Sequence, residues 1–299
     1  YSRVENHWRR TPDFKELMIK FVAEPATRLA SIVTGETHVT TLPRDLQNSA
    51  RAAGNAVITA QMAGAPVVFF FGGLFMETPD KYDSTIPFAD IRVREAMLRA
   101  IDRQEMIDTI FDGGAQISWL HYNHVTQPGW DPEWEVRGPI DYGFDPEKSK
   151  ALLAEAGYPN GFDVQIDVYP WSSFPEFIPM EEAIAQYWTN IGLNVKLHQT
   201  EFAQVRAKYR AKDNTGSIYG FLPGTSRPPH KGFTCCYKSY DSISYSFEST
   251  FIDEKLEELQ DVTDAAKRHE IQRDIGEHLY SNYVSLQCRT YRHKRQLAR

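Results

Sequence analysis

Between residues 145 and 212 the chain alternates helical and strand-like stretches, each with its own start and stop signal, and that alternation restricts the fold more than any other feature. Asp145-Pro146-Glu147 supplies a capping carboxylate, a proline at the first helical position and an acid facing the positive end of the helix dipole. Gly157 ends that helix. Pro159-Asn160-Gly161 then turns the chain into Phe162, Val164, Ile166 and Val168, whose period of two reads as a strand. A Trp/Phe/Pro loop at 170–179 leads to a helix that stops at Gly192. A strand follows at Leu193, Val195 and Leu197, and Thr200 can cap a further helix to about Lys212. Helix, strand, helix, strand, helix is the pattern of an α/β unit whose helices cover a sheet.

The flanking regions give weaker signals. Leu17, Ile19 and Phe21 alternate with polar residues as a half-buried strand would, and Pro25 opens a helix with Leu29, Ile32 and Val33 inward, stopped by Gly35. Strands are expected at 56–60 and 67–71, the second apolar enough to be buried on both faces. From Asp90, a helix is expected with Val93, Ala96, Met97, Ala100, Ile101, Ile107, Ile110 and Phe111 on its apolar stripe, ending at Gly113-Gly114. Residues 114–144 read as an irregular excursion and 220–250 as loops. Two helices are expected at about 251–261 and 264–281, and a last strand near Val284-Leu286-Cys288.

Composition narrows the function. With 33 basic and 40 acidic residues the formal charge is −7, and no basic run tracks a phosphate backbone, so nucleic acid is not an expected partner. The densest apolar run, Pro66 to Met76, is too short to cross a bilayer and contains two glycines. Tyr1 to Trp8 shows no charged region, apolar stretch or cleavage site, so an export signal is expected to be cleaved or missing. Three cysteines, Cys235, Cys236 and Cys288, make a poor basis for a disulfide framework and leave the redox compartment open.

Catalytic motifs are absent from the sequence. There is no nucleophile elbow, Walker loop, dinucleotide-binding glycine fingerprint or His-Glu-x-x-His helix. His121-x-x-His124 lies in a segment without helical periodicity and has no third ligand in view. Cys235-Cys236 lacks the spacing that aims two sulfurs at one centre. Asp102, Glu105 and Asp108 read as a solvated helix edge. No catalytic residue, metal site or cofactor is assigned.

Three stretches, in order, resemble the solute-binding proteins of family 5 that feed ABC importers of peptides, nickel and oligosaccharides. They are Asn6-His-Trp8 with Ala26-Thr-Arg-Leu-Ala30 and Gly35-Glu36; Ile91-Arg-Val-Arg-Glu-Ala-Met97 with Ala100-Ile-Asp-Arg103; and Asp145 to Gly157 with Tyr158-Pro-Asn-Gly-Phe162. Weaker similarities span Gln186 to Val195 and Thr263 to Arg268. The resemblance implies an α/β, periplasmic-binding-protein-like two-lobe fold with a partial lobe I (1–75, returning at 220–299) and a complete lobe II (86–212). Hinges would lie near 72–85 and 213–222. Family members carry a signal sequence and a large first portion of lobe I before the position matching Tyr1, so the chain is expected to be truncated, with Phe69 to Phe71 left exposed.

The implied function is capture of a small solute between two closing lobes and delivery to a membrane permease, by a protein that is not an enzyme. Its expected location is periplasmic or extracellular and membrane-anchored, and its expected state when full length is a monomer. The ligand site is placed at Tyr169, Trp171 and Phe174 of the aromatic loop, facing Phe221 and Arg227 of the return segment. Peptide-binding members carry an amine-pairing aspartate in that segment, whereas Gly220 to Pro229 holds no acid and has Arg227. The alternatives are a carboxylate-based hydrolase on an α/β scaffold, which leaves no short motif, or a signalling or structural module without transport. The solute itself is left open.

Overall fold

The computed structural model describes residues 1–57, 66–121, 127–171, 174–222 and 229–290, with the backbone alone at 66 and 287–290. Among these, 1–57 and Phe174 form one compact unit and the remainder a second.

The first unit holds helices α1 (Pro25–Val33) and α2 (Arg44–Ala52). The proline start of α1 is as expected, and Gly35 follows it with φ +76°, a value that favours glycine. The expected strand at 17–21 is absent. A strand needs a neighbour for its backbone groups, and this stretch has only the short pairing around the Ser2–Glu16 bridge, in which the Leu17 amide donates to the Tyr1 carbonyl. Its apolar side chains face outward, with Phe21 98% exposed. Of the strand expected at 56–60, only 56–57 lie within the described residues, and these are not in a strand.

The second unit is built on one mixed sheet. In chain order its elements are β1 (Pro66–Phe71), α3 (Ile91–Arg99), α4 (Arg103–Ile110), β2 (Ala115–Ile117), α5 (Glu133–Asp141), α6 (Pro146–Glu155), β3 (Asp163–Val168), α7 (Phe177–Asn190), β4 (Asn194–Gln199), α8 (Phe202–Ala211), β5 (Ser217–Phe221), α9 (Pro229–Cys236), α10 (Thr250–Asp261), α11 (Ala265–Ser281) and β6 (Ser285–Thr290). The strand order is β2-β6-β1-β5-β3-β4. β3 runs parallel to β4 and β5, while β1 is antiparallel to β5 and β6.

That order corrects one expectation. Phe69, Phe70 and Phe71 are buried, because β1 is an interior strand hydrogen-bonded on both sides. β1 and β6, from the stretches assigned to lobe I, lie in the same sheet as β3 and β4 and are linked to them through β5, which falls in the expected hinge at 213–222.

The helix expected from Asp90 to Phe111 is two helices. Asp102 turns its side chain onto the Glu105 amide at 2.9 Å and starts α4, as Asp90 starts α3 by accepting from the Arg92 amide. The same stretch carries three buried arginines that donate to backbone carbonyls, Arg99 also pairing with Glu95 at 2.7 Å. Arg94 donates to Phe88, Ala89 and Asn282, Arg99 to Ile140, and Arg103 to Leu98 and Tyr142. Burial lowers the Arg94 pKa to about 10. The residues that make this stretch recognisable therefore staple α3 and α4 to their surroundings.

Asp145 caps α6 through the Lys148 amide and Asp264 caps α11 through the Lys267 amide, both as expected. β2, α5 and α9 fall where irregular or loop structure was expected, and β5 falls in the expected hinge at 213–222.

Candidate functional site

β4, β3 and β5 lie side by side and parallel, so their carboxyl ends open on one edge of the sheet, the position where α/β sheets receive ligands. Tyr169 and Trp171 follow β3, Phe202 follows β4 at the start of α8, and Leu222 follows β5. Trp171 sits 4.9 Å from Phe202, 6.0 Å from Phe177 and 6.1 Å from Tyr169, measured between ring centroids. Tyr169 in turn is 5.3 Å from Phe177 and 5.5 Å from Phe202. Phe177 stacks on Phe69 of β1 at 5.9 Å. The result is an aromatic cluster assembled from the ends of two parallel strands and the first turns of α7 and α8.

Tyr169 is the buried anchor, and its hydroxyl donates to the Gly220 carbonyl on β5. Burial, followed by the nearby Glu181 carboxyl, pushes that hydroxyl's pKa well above the usual phenol value. Gly220 must lack a side chain, because a Cβ there would run into the rings of Phe177 and Phe69. Trp171 is half-buried, leaving part of the indole available to a ligand.

The expected site residues do not all meet. Tyr169 and Trp171 share the cluster. Paired residues in neighbouring strands share a face, and Phe69 pairs with Gly220 while Val68 pairs with Phe221. Phe221 is therefore on the opposite face of the sheet, 6.4 Å from Phe70 and 6.2 Å from Tyr209. Phe174 is buried and groups with the first compact unit. Arg227 lies outside the described residues, as does His124.

Two residues at this end of the molecule escaped the sequence reading. Glu181 lies one turn along α7 from Phe177, is 0% exposed, and neither carboxylate oxygen has a hydrogen-bond partner among the described residues. Burial raises its pKa to about 9, with Glu182 and Asp167 adding to the shift. Asp167 on β3 is equally buried but well supplied, accepting from His198 Nδ1 at 2.8 Å, Gln165 Nε2 at 2.8 Å and Lys208 Nζ at 3.3 Å. Nothing in the local pattern separates these acids from solvated ones. Among the described residues no group of three His, Cys, Asp or Glu could hold a metal ion. His121 packs against Phe70 and shares a 2.9 Å hydrogen bond with the Tyr237 hydroxyl, and Cys235 and Cys236 are buried.

The crossings expected to act as hinges run together inside the second unit. The Gly72 amide donates to the Ser217 carbonyl at 2.8 Å and the Gly216 amide to the Gly72 carbonyl at 3.2 Å. Glu248, 1% exposed, accepts from the Glu77 amide and the Thr78 hydroxyl and pairs with Lys212. This polar knot ties residues 72–78, 212–217 and 248 to one another.

The family profile for the middle region of bacterial extracellular solute-binding proteins, family 5, matches residues 1–242. The chain belongs to that family. It is 28% identical over 232 residues to heme-binding protein A of Haemophilus influenzae, covering 76% of this chain and 39% of the relative. It is 23% identical over 276 residues to the dipeptide-binding protein of Escherichia coli, covering 87% of this chain and 49% of the relative. The chain thus spans half or less of the length of these curated relatives. The structure of HbpA2 from Haemophilus parasuis superposes with a TM-score of 0.73 at 21% identity, over 97% of this chain and 55% of that one. The fold is the α/β fold of the family's periplasmic binding proteins.

Proposed function

We propose that the chain acts in solute capture for an extracytoplasmic ABC-type importer, presenting the Tyr169–Trp171 cluster to a small ligand and working with a membrane permease. The family match over residues 1–242 carries this reading. Heme and a dipeptide appear in the names of two relatives, and an aromatic platform without a convergent catalytic group suits stacking on a planar ring, a sugar face or an apolar side chain. No bond is made or broken in this reading, and the family match lends no support to the hydrolase alternative.

Tyr169 fixes the platform and Trp171 is its contact surface. Arg227, a permanent cation, favours a neutral or anionic ligand group over a free amine. The segment 86–212 supplies the body of one lobe, and β1, β5 and β6 join the residues on either side of it to the same sheet. The protein in this reading is extracytoplasmic and monomeric.

Calorimetry of the chain with haemin, free-amine dipeptides and neutral oligosaccharides tests the proposal. One class should bind saturably with no product formed, and Trp171→Ala should weaken it by about 2 kcal/mol or more, as for a central aromatic contact. Unchanged affinity in Trp171→Ala would remove the cluster from the site. Tight binding of free-amine dipeptides would refute the role given to Arg227, and product release would restore the hydrolase.

A further inference from the structure

Away from the aromatic cluster, α9, α10 and α11 surround a cavity of about 420 Å³. Its wall carries Lys231 and Lys238 from and just after α9, Arg268 from α11, and, among the described residues, no acidic residue. In a chain with formal charge −7 this is an unusual concentration of positive charge. None of the three cations has a carboxylate within ion-pair distance among the described residues, although acids lie elsewhere on α10 and α11 and pair there with Lys255 and Lys267. Arg268 is held in place by its Nη1, which donates to the Leu259 and Val262 carbonyls at 2.8 and 2.7 Å, so its other donors have a defined position. Lys238 lies 3.6 Å from the Tyr240 ring centroid, a contact that orients the ammonium without neutralising it. His230, on the same wall, has its pKa lowered by burial and then by Arg268 and Lys231, which places both cations within electrostatic reach of one point.

α10 contributes the apolar Leu256 and Leu259 to the lining, with Gln260 beside them. Mutual repulsion of three cations around one space is relieved by an anion, and the leucines reward an apolar extension on it. The volume lies within the range of small-ligand pockets, and the concave shape fits a small molecule better than a flat partner surface. We infer that this cavity is a second ligand site, separate from the aromatic cluster, which binds a small organic oxyanion through Lys231, Lys238 and Arg268 and seats its short apolar tail against Leu256 and Leu259. The proposal is of binding alone. It stands whether or not the cluster captures a solute.

Titration of the isotopically labelled chain by NMR with hexanoate, acetate and inorganic phosphate tests the inference. Hexanoate should bind saturably, with shifts confined to α9–α11, and acetate and phosphate should bind at least about tenfold more weakly because they lack the tail. Lys231→Gln and Lys238→Gln should each weaken hexanoate about tenfold, and Lys231→Glu should abolish binding, with melting temperatures near wild type since Lys231 is exposed. Absence of saturable hexanoate binding, equal affinity for phosphate and hexanoate, or unchanged affinity in the lysine variants would each overturn it.

Discussion

Replacing Glu181 with glutamine should remove a pH-dependent weakness from the folded protein. Glu181 is 0% exposed and has no hydrogen-bond partner among the described residues, and burial lifts its pKa from 4.5 to about 9. The folded-state value lies above the unfolded one, so the folded state holds a proton that the unfolded chain releases. The stability this contributes is fully present below 4.5 and is lost progressively as pH climbs towards 9. Each pH unit in that window costs about 1.4 kcal/mol, so at neutral pH the accumulated loss is on the order of 3 kcal/mol. Glutamine occupies the same volume and does not titrate. Urea unfolding of both proteins, followed by circular dichroism at about pH 5.5 and about pH 8, isolates the effect, because other titrating groups are common to both. The variant's advantage over wild type should grow by about 3 kcal/mol between the two pH values. A difference that stays constant within about 0.5 kcal/mol would show that the Glu181 carboxyl is solvated or paired in the folded protein and would refute the reasoning.

Ile101 is fully buried, and Ile101→Ala should cost about 2–5 kcal/mol in denaturant unfolding, whereas a loss below about 0.5 kcal/mol would place the side chain at the surface. A Cβ at Gly72 would collide with the Asn214 and Ser217 carbonyl oxygens, so Gly72→Ala should lower the thermal midpoint by several degrees, and an unchanged midpoint would mean that the polar knot around Glu248 is loose.

What the sequence by itself determined about this protein is local. Asp145, Asp264 and Asp90 announce their helices because a cap acts on an amide two or three residues away, and the strand from Val164 to Val168 shows in its own alternation. The family signature was legible for the same reason, as were Tyr169 and Trp171, which follow a recognisable strand. What only the tertiary structure decided is long-range. The interior position of β1 depends on pairing with β5 and β6, which lie more than a hundred residues further on, and β5 itself, Ser217–Phe221, carries too short a pattern to declare itself. Phe177 and Phe202 join Trp171 because α7 and α8 begin at the same sheet edge, and Phe221 is turned away from them by a register set between strands. Glu181 and Asp167 have the same side-chain chemistry in sequence; only the packed sheet gives Asp167 three donors and Glu181 none, because desolvation depends on every neighbour that excludes water and on no single residue beside it.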